Sequence, residues 1–164
     1  MEHWYALHTR GRHERTIEQR LQERGVSTFL PMVTEIHRWS DRRKKIQLPL
    51  FRGYLFVRVA RSKASVLRVL GVDGVFRFVG SGGEGTPIPE TQIDAIRALL
   101  AGELSWSHHP FLKIGQRVRI KSGALEGVEG ILMSRSGSAT LVISVDAIQR
   151  SLAVRVEGYD VEAV

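Results

Sequence analysis

The six histidines are the first side chains to weigh for chemistry. His3, His8 and His13 fall on a strand, a turn and a helix start, so their spacing implies no common face. His108 and His109 lie in a polar stretch with no ligand spacing, and no cysteine is present to complete a zinc site. The residues therefore point to no metal and no cofactor. Gly80-Ser-Gly-Gly-Glu-Gly matches G-x-G-x-x-G after an expected strand, but Thr86-Pro87-Ile88-Pro89 follows it. A dinucleotide loop has to open directly into the helix that receives the pyrophosphate, so a loop is the better reading. Acid–base or nucleophilic catalysis needs paired carboxylates, or a nucleophile beside a base. No such motif is recognisable, and the chain reads as a non-enzyme.

Two basic groups and one run of rings offer binding instead. Arg42-Arg43-Lys44-Lys45 is compact and sits in an expected turn. By itself such a run reads as a solvated turn. Arg10, Arg12, His13 and Arg15 cluster where a turn enters a helix. Cations there oppose the helix dipole, an arrangement more readily understood if phosphates bind. The rings lie in Pro49-Leu-Phe-Arg-Gly-Tyr-Leu-Phe-Val-Arg-Val. Alternation in a strand over 53–59 puts Leu55, Val57 and Val59 on one face and Tyr54, Phe56 and Arg58 on the other. With Phe51 just before it, the second face is either an apolar patch for a partner or the buried side of a central strand.

The elements that position these residues follow from periodicity. A strand over 4–8 leads to a helix over 12–24, with Ile17 and Leu21 on its buried face and Gly25 as its stop. A strand over 26–30 ends at Pro31, and residues 33–39 and 44–48 form an arm or hairpin. After the ring strand, Ser62 caps a short helix over 63–70; a strand over 75–79 and a helix over 89–101 follow, the latter with Ile93, Ile96 and Leu100 at helical spacing. This interleaving predicts an α+β sandwich with an antiparallel sheet over residues 1–101. Residues 102–111 read as a linker. From 112 to 164, short alternating runs punctuated by glycines predict a small closed β-barrel.

Charge separates the same two parts. Residues 1–101 carry 17 Lys/Arg against 10 Asp/Glu, and residues 112–164 carry 7 against 6. The surplus in the first part suggests nucleic acid there and a different partner for the second. No apolar run approaches the roughly 18 residues of a membrane span, and the amino terminus lacks the pattern of a signal peptide. The expectation is a cytoplasmic protein.

Three motifs carry a resemblance to a known family. Trp4-Tyr5-Ala6-Leu7 opens the chain before an Arg/Glu-bearing helix. Pro49-Leu-Phe-Arg-Gly-Tyr-Leu-Phe-Val is similar to an F-P-G-Y-hydrophobic signature. Gly115-Gln-Arg-Val-Arg-Ile, followed by Gly123-Ala-Leu-Glu-Gly127-Val-Glu-Gly130, resembles a KOW motif. In this order, over nearly the whole chain, they resemble the NusG family of transcription elongation factors. The resemblance implies an N-terminal NGN domain that grips the clamp helices of the RNA polymerase largest subunit, and an SH3-like KOW barrel behind it. Carried over residue by residue, it implies polymerase contact at His8, Phe51, Tyr54 and Phe56, bordered by Ile93 and Ile96. For Ile93 and Ile96, helix-to-sheet packing is an equal reading.

The resemblance also puts Arg10, Arg12 and Arg15 where specialised members face non-template DNA, with Arg42, Arg43, Lys44 and Lys45 as a second basic group. Leu125 falls where the family's barrel touches a small-subunit ribosomal protein or the terminator Rho. Some residues depart from the family pattern. Arg52 replaces the signature proline and loosens that turn; Leu125 replaces a usual Phe; Ala147-Ile-Gln-Arg150 stands where Ile-Phe-Gly-Arg is common. The segment Trp39-Ser-Asp-Arg-Arg-Lys-Lys45 is closer to specialised paralogues, RfaH-like or serving polysaccharide operons, than to the general factor. The implied function is transcription elongation or antitermination by a monomer. The alternative is a ribosome-associated RNA-binding protein, which leaves the ring face without a role.

Overall fold

The computed structural model describes residues 1–80, 82, 84–102, 106–112, 115–135, 138–156 and 161–164. They form two compact units, Met1–Pro87 and Ile88–Val164.

The first unit is built on β1 (Glu2–Thr9), α1 (Glu14–Glu23), β2 (Ser27–Phe29), β3 (Met32–Arg38), β4 (Arg43–Pro49), β5 (Tyr54–Ala60), α2 (Lys63–Leu70) and β6 (Val75–Phe78). Four strands make one sheet in the order β2-β5-β1-β6, with every neighbouring pair antiparallel. The strand pair β3–β4 makes a separate two-stranded sheet. Tyr5, Leu7, Leu55, Val57, Val59 and Phe78 share one core with Ile17 and Leu21 of α1 and Val69 of α2. The apolar parity read along β5 therefore faces the helices. Alternation demands it, since Tyr5 lies opposite Val57 and Leu7 opposite Leu55. Ser62 caps α2 by accepting the Ser65 amide at 3.2 Å.

The second unit contains α3 (Glu90–Ala101), β7 (Trp106–His109), β8 (Arg117–Ile120), β9 (Glu129–Arg135), β10 (Ser138–Val145), β11 (Arg150–Arg155) and β12 (Val161–Ala163). Its strands form one antiparallel sheet in the order β12-β8-β9-β10-β11-β7. The helix α3 packs on β10 and groups with this unit, although the sequence boundary falls after residue 101. Gln92 reaches from α3 to Asp146, donating to its carboxylate at 3.2 Å and accepting its amide at 3.3 Å.

Part of the expected linker is structured: Trp106–His109 is a strand paired with β11. Its composition gave no periodic signal, and pairing to a distant strand is what organises it. The loop Gly80–Gly85 does not open into a helix, since α3 begins only at Glu90; Ser81 and Gly83 lie outside the described residues. No helix among the described residues is long and apolar enough to cross a membrane.

Candidate partner-binding face and basic arm

The face of the four-stranded sheet opposite α1 and α2 carries Trp4, Ala6 and His8 from β1, paired with Arg58, Phe56 and Tyr54 of β5. Two sets of ring contacts lie on it. In the first, Phe29 stacks on Phe56 at 6.0 Å, Phe51 meets Phe56 edge-on at 6.3 Å, and Trp4 meets Phe29 at 6.4 Å. The small side chain of Ala6 opposite Phe56 leaves room for that ring. Phe56 is 0% and Phe51 4% exposed. Phe51 and Phe56 are therefore interior residues, the second of the two readings left open for this face, and not the exposed contact that the resemblance implied.

The second group remains accessible. His8 lies 5.8 Å from Tyr54 and 5.4 Å from Phe76, so three rings run across β5, β1 and β6. His8 and Tyr54 are half-buried, while Phe76 is 55% exposed. Sequence reading missed Phe76, because regular alternation gives it the parity of the core residue Phe78. A register shift between His8 and Thr9, opposite β6, breaks that parity and lets Phe76 meet His8. Ile93 and Ile96, expected at the border of a surface, are both 0% exposed on α3.

Three loops meet at this end of the sheet. Thr9 donates its amide to the Gly53 carbonyl at 2.8 Å, and Arg10 donates to Gly74 at 2.8 Å. Gly53 has φ +81°, a conformation glycine adopts without Cβ strain, and Tyr54 donates to the Phe51 carbonyl across the turn. The Arg52 side chain is exposed, and the turn carries its Tyr54-to-Phe51 bond with arginine in the place of the signature proline.

Glu14, another residue missed from the sequence, fastens this turn. It opens α1, is 2% exposed, and accepts the Gly53 amide at 3.0 Å. Its only sequence signal is an acidic residue in a first helical turn, which the helix dipole favours wherever it occurs. Glu14→Ala removes a charged acceptor from a buried amide and is expected to cost about 1.5–3 kcal/mol, with Glu14→Gln retaining part of it. Urea unfolding measures both variants, and an unchanged free energy in the alanine variant would discard the fastening role.

Arg10, Arg12 and Arg15 are all exposed at the turn into α1. Arg12 holds φ +68°, the left-handed region that non-glycine residues seldom occupy. Arg42, Arg43, Lys44 and Lys45 are exposed in the β3–β4 arm. In the second unit Leu125 is 0% exposed, which corrects its assignment to a contact surface. The loop between β8 and β9 turns it inward through Gly127 N–H to Ile120 O at 2.8 Å and Val128 N–H to Leu125 O at 3.0 Å.

Residues 2–97 match a family model described as NusG, transcription termination factor nusG. The chain is 28% identical over 171 residues to the transcription termination/antitermination protein NusG of Staphylococcus carnosus, covering 97% of this chain and 94% of that protein. The protein of the same description from Staphylococcus epidermidis is 27% identical with the same coverage. A solved structure titled "Domain interaction in Thermotoga maritima NusG" covers 100% of this chain and 98% of its own, with a TM-score of 0.59 and 21% identity. That last likeness concerns the fold.

Proposed function

The chain belongs to the NusG family of transcription termination and antitermination factors, and on that footing we propose that it binds RNA polymerase through the first part and recruits a second partner through the last. In this reading residues 1–101 are the NGN domain, residues 102–111 the connection, and residues 112–164 a KOW barrel of SH3-like form. The observation that carries it is the family match over 2–97, the span that holds both ring groups and both basic groups. No chemistry is required of the chain. It works as a clamp in the cytoplasm, where transcription takes place.

Within this proposal the ring face divides by depth, with accessible rings above and packed rings below. Tyr54, His8 and Phe76 supply the accessible rings that touch the largest-subunit clamp helices. Phe51 and Phe56 act beneath them as packing. Partly exposed aromatic side chains suit the role, because they bring large contact area at small entropic cost. Arg10, Arg12 and Arg15 face non-template DNA and contact phosphate. On the KOW domain, Ala124 and Glu126 flank the inward Leu125 and are exposed, so they meet the ribosomal small-subunit protein or Rho. The charged arm around Trp39 and the exposed Arg52 support a specialised paralogue over the general factor.

Association with purified elongation complexes tests this reading, together with pausing and termination on several templates with and without Rho. Tyr54→Ala is expected to weaken binding to the complexes by about 10- to 100-fold, the range of a hot-spot aromatic residue. Its far-UV circular dichroism should stay unchanged. Full affinity in that variant would remove the ring face from the interface. Co-sedimentation with ribosomes, coupled with no binding to polymerase, would favour the ribosomal alternative.

A further inference from the structure

The β3–β4 arm is unusual as a piece of sheet. It pairs with no strand of the four-stranded sheet, and an isolated two-stranded ribbon is only marginally stable in water. Near its tip Arg38 lies directly opposite Arg43. Like charges placed directly across a ladder destabilise it. Among the described residues, none of Arg38, Arg43, Lys44 and Lys45 has a carboxylate within ion-pair distance. Arg38, Arg42, Arg43, Lys44 and Lys45 outnumber Glu35 and Asp41 along the arm, which leaves it a surplus of positive charge.

At the tip stands Trp39, 46% exposed. Its amide donates to the Arg42 carbonyl at 2.8 Å, which closes the turn. The Arg42 guanidinium lies 5.1 Å from the indole centroid, and the His37 ring lies 6.1 Å away. A large ring kept in water and steadied by a cation is a stacking platform. Combined with a ring of cations, it matches the two parts of a single-strand site: stacking for a base and positive charge for the backbone. A duplex keeps its base faces inside and offers none to an indole.

We propose that the tip of this arm binds single-stranded DNA, with one base stacked on Trp39 and the flanking phosphates held by Arg38, Arg43, Lys44 and Lys45. The choice of DNA rests on the reading that the first domain works beside a transcribed DNA strand. The stacking residue is what the arm adds to that reading, since the basic run alone predicts only phosphate contact.

Fluorescence anisotropy of a labelled oligothymidylate against the full chain tests it. Trp39→Ala is expected to weaken binding roughly tenfold or more, and Trp39→Phe to keep most of the affinity. An abasic deoxyribose-phosphate oligomer should bind the parent protein and Trp39→Ala equally. Replacing both Lys44 and Lys45 by Gln should flatten the slope of log affinity against log salt by about 0.7 for each lysine. Trp39 is exposed, so circular dichroism should be unchanged in the alanine variant. Equal oligothymidylate affinity for Trp39→Ala and the parent protein would overturn the proposal, as would tighter binding of the duplex. Preference for RNA of matching sequence would overturn the assignment to DNA. The assay contains no polymerase, so its outcome separates from that of the polymerase reading. Trp39-dependent binding by a protein that ignores elongation complexes leaves this site standing alone. Normal complex binding with a silent Trp39 removes this site alone.

Discussion

Phe56→Ala is expected to destabilise the first unit by about 3–5 kcal/mol, the cost of truncating a phenylalanine in a packed interior. Phe56 has no exposed surface, stacks on Phe29 and meets Phe51 edge-on. Removing its ring leaves a void bounded by two other rings, in the centre of a four-stranded sheet that has little freedom to collapse. Urea unfolding of the full chain followed by tryptophan fluorescence reads the change, because Trp4 is buried beside Phe29 in the same ring group. An unfolding midpoint equal to that of the parent protein would show that the ring is dispensable to the core. The consequence for interaction studies is direct. Loss of polymerase binding in Phe56→Ala would report unfolding as readily as a lost contact, whereas Tyr54→Ala separates the two.

The second large effect is expected at Leu125. Leu125→Ala should cost about 2–5 kcal/mol, because a fully buried leucine loses its packing and leaves a cavity. The β8–β9 loop holds Leu125 inward through the backbone bonds at Gly127 and Val128, so a small side chain cannot be compensated by simple rotation of the turn. Far-UV circular dichroism during urea unfolding should show an earlier transition. Glu126→Ala, on an exposed neighbour, should leave stability within about 0.5 kcal/mol. If Leu125→Ala unfolds with the parent protein while Glu126→Ala does not, the burial described for this loop is wrong.

Both residues show how far a motif reaches. The family signature identified where the rings lie along the chain, and the match over 2–97 covers that stretch. Which of those residues face outward was a separate matter. Within β5, alternation separated Leu55, Val57 and Val59 from Tyr54 and Phe56, and the structure puts the first set against the helices. Alternation says nothing about what happens beyond the second face. Phe56 also packs on Phe29 of an adjacent strand and on Phe51 of the turn before it, and the first of these relations is not local in sequence.

The amino-acid sequence by itself determined the local elements. The Ser62 cap, the Gly25 stop, the helical spacing of Ile17 and Leu21 and the strand parity of residues 53–59 are short-range effects. Each depends on backbone preference or on neighbours within about one or two turns. It also determined the separation of charge between the two parts and the absence of any thiol. Tertiary structure alone decided three matters. A register shift opposite His8 let Phe76 meet it, a buried Glu14 tied α1 to the turn at Gly53, and pairing with β11 made Trp106–His109 a strand. Each joins residues about 40 or more apart, or turns on an irregularity in pairing, and neither leaves a periodic trace along the chain.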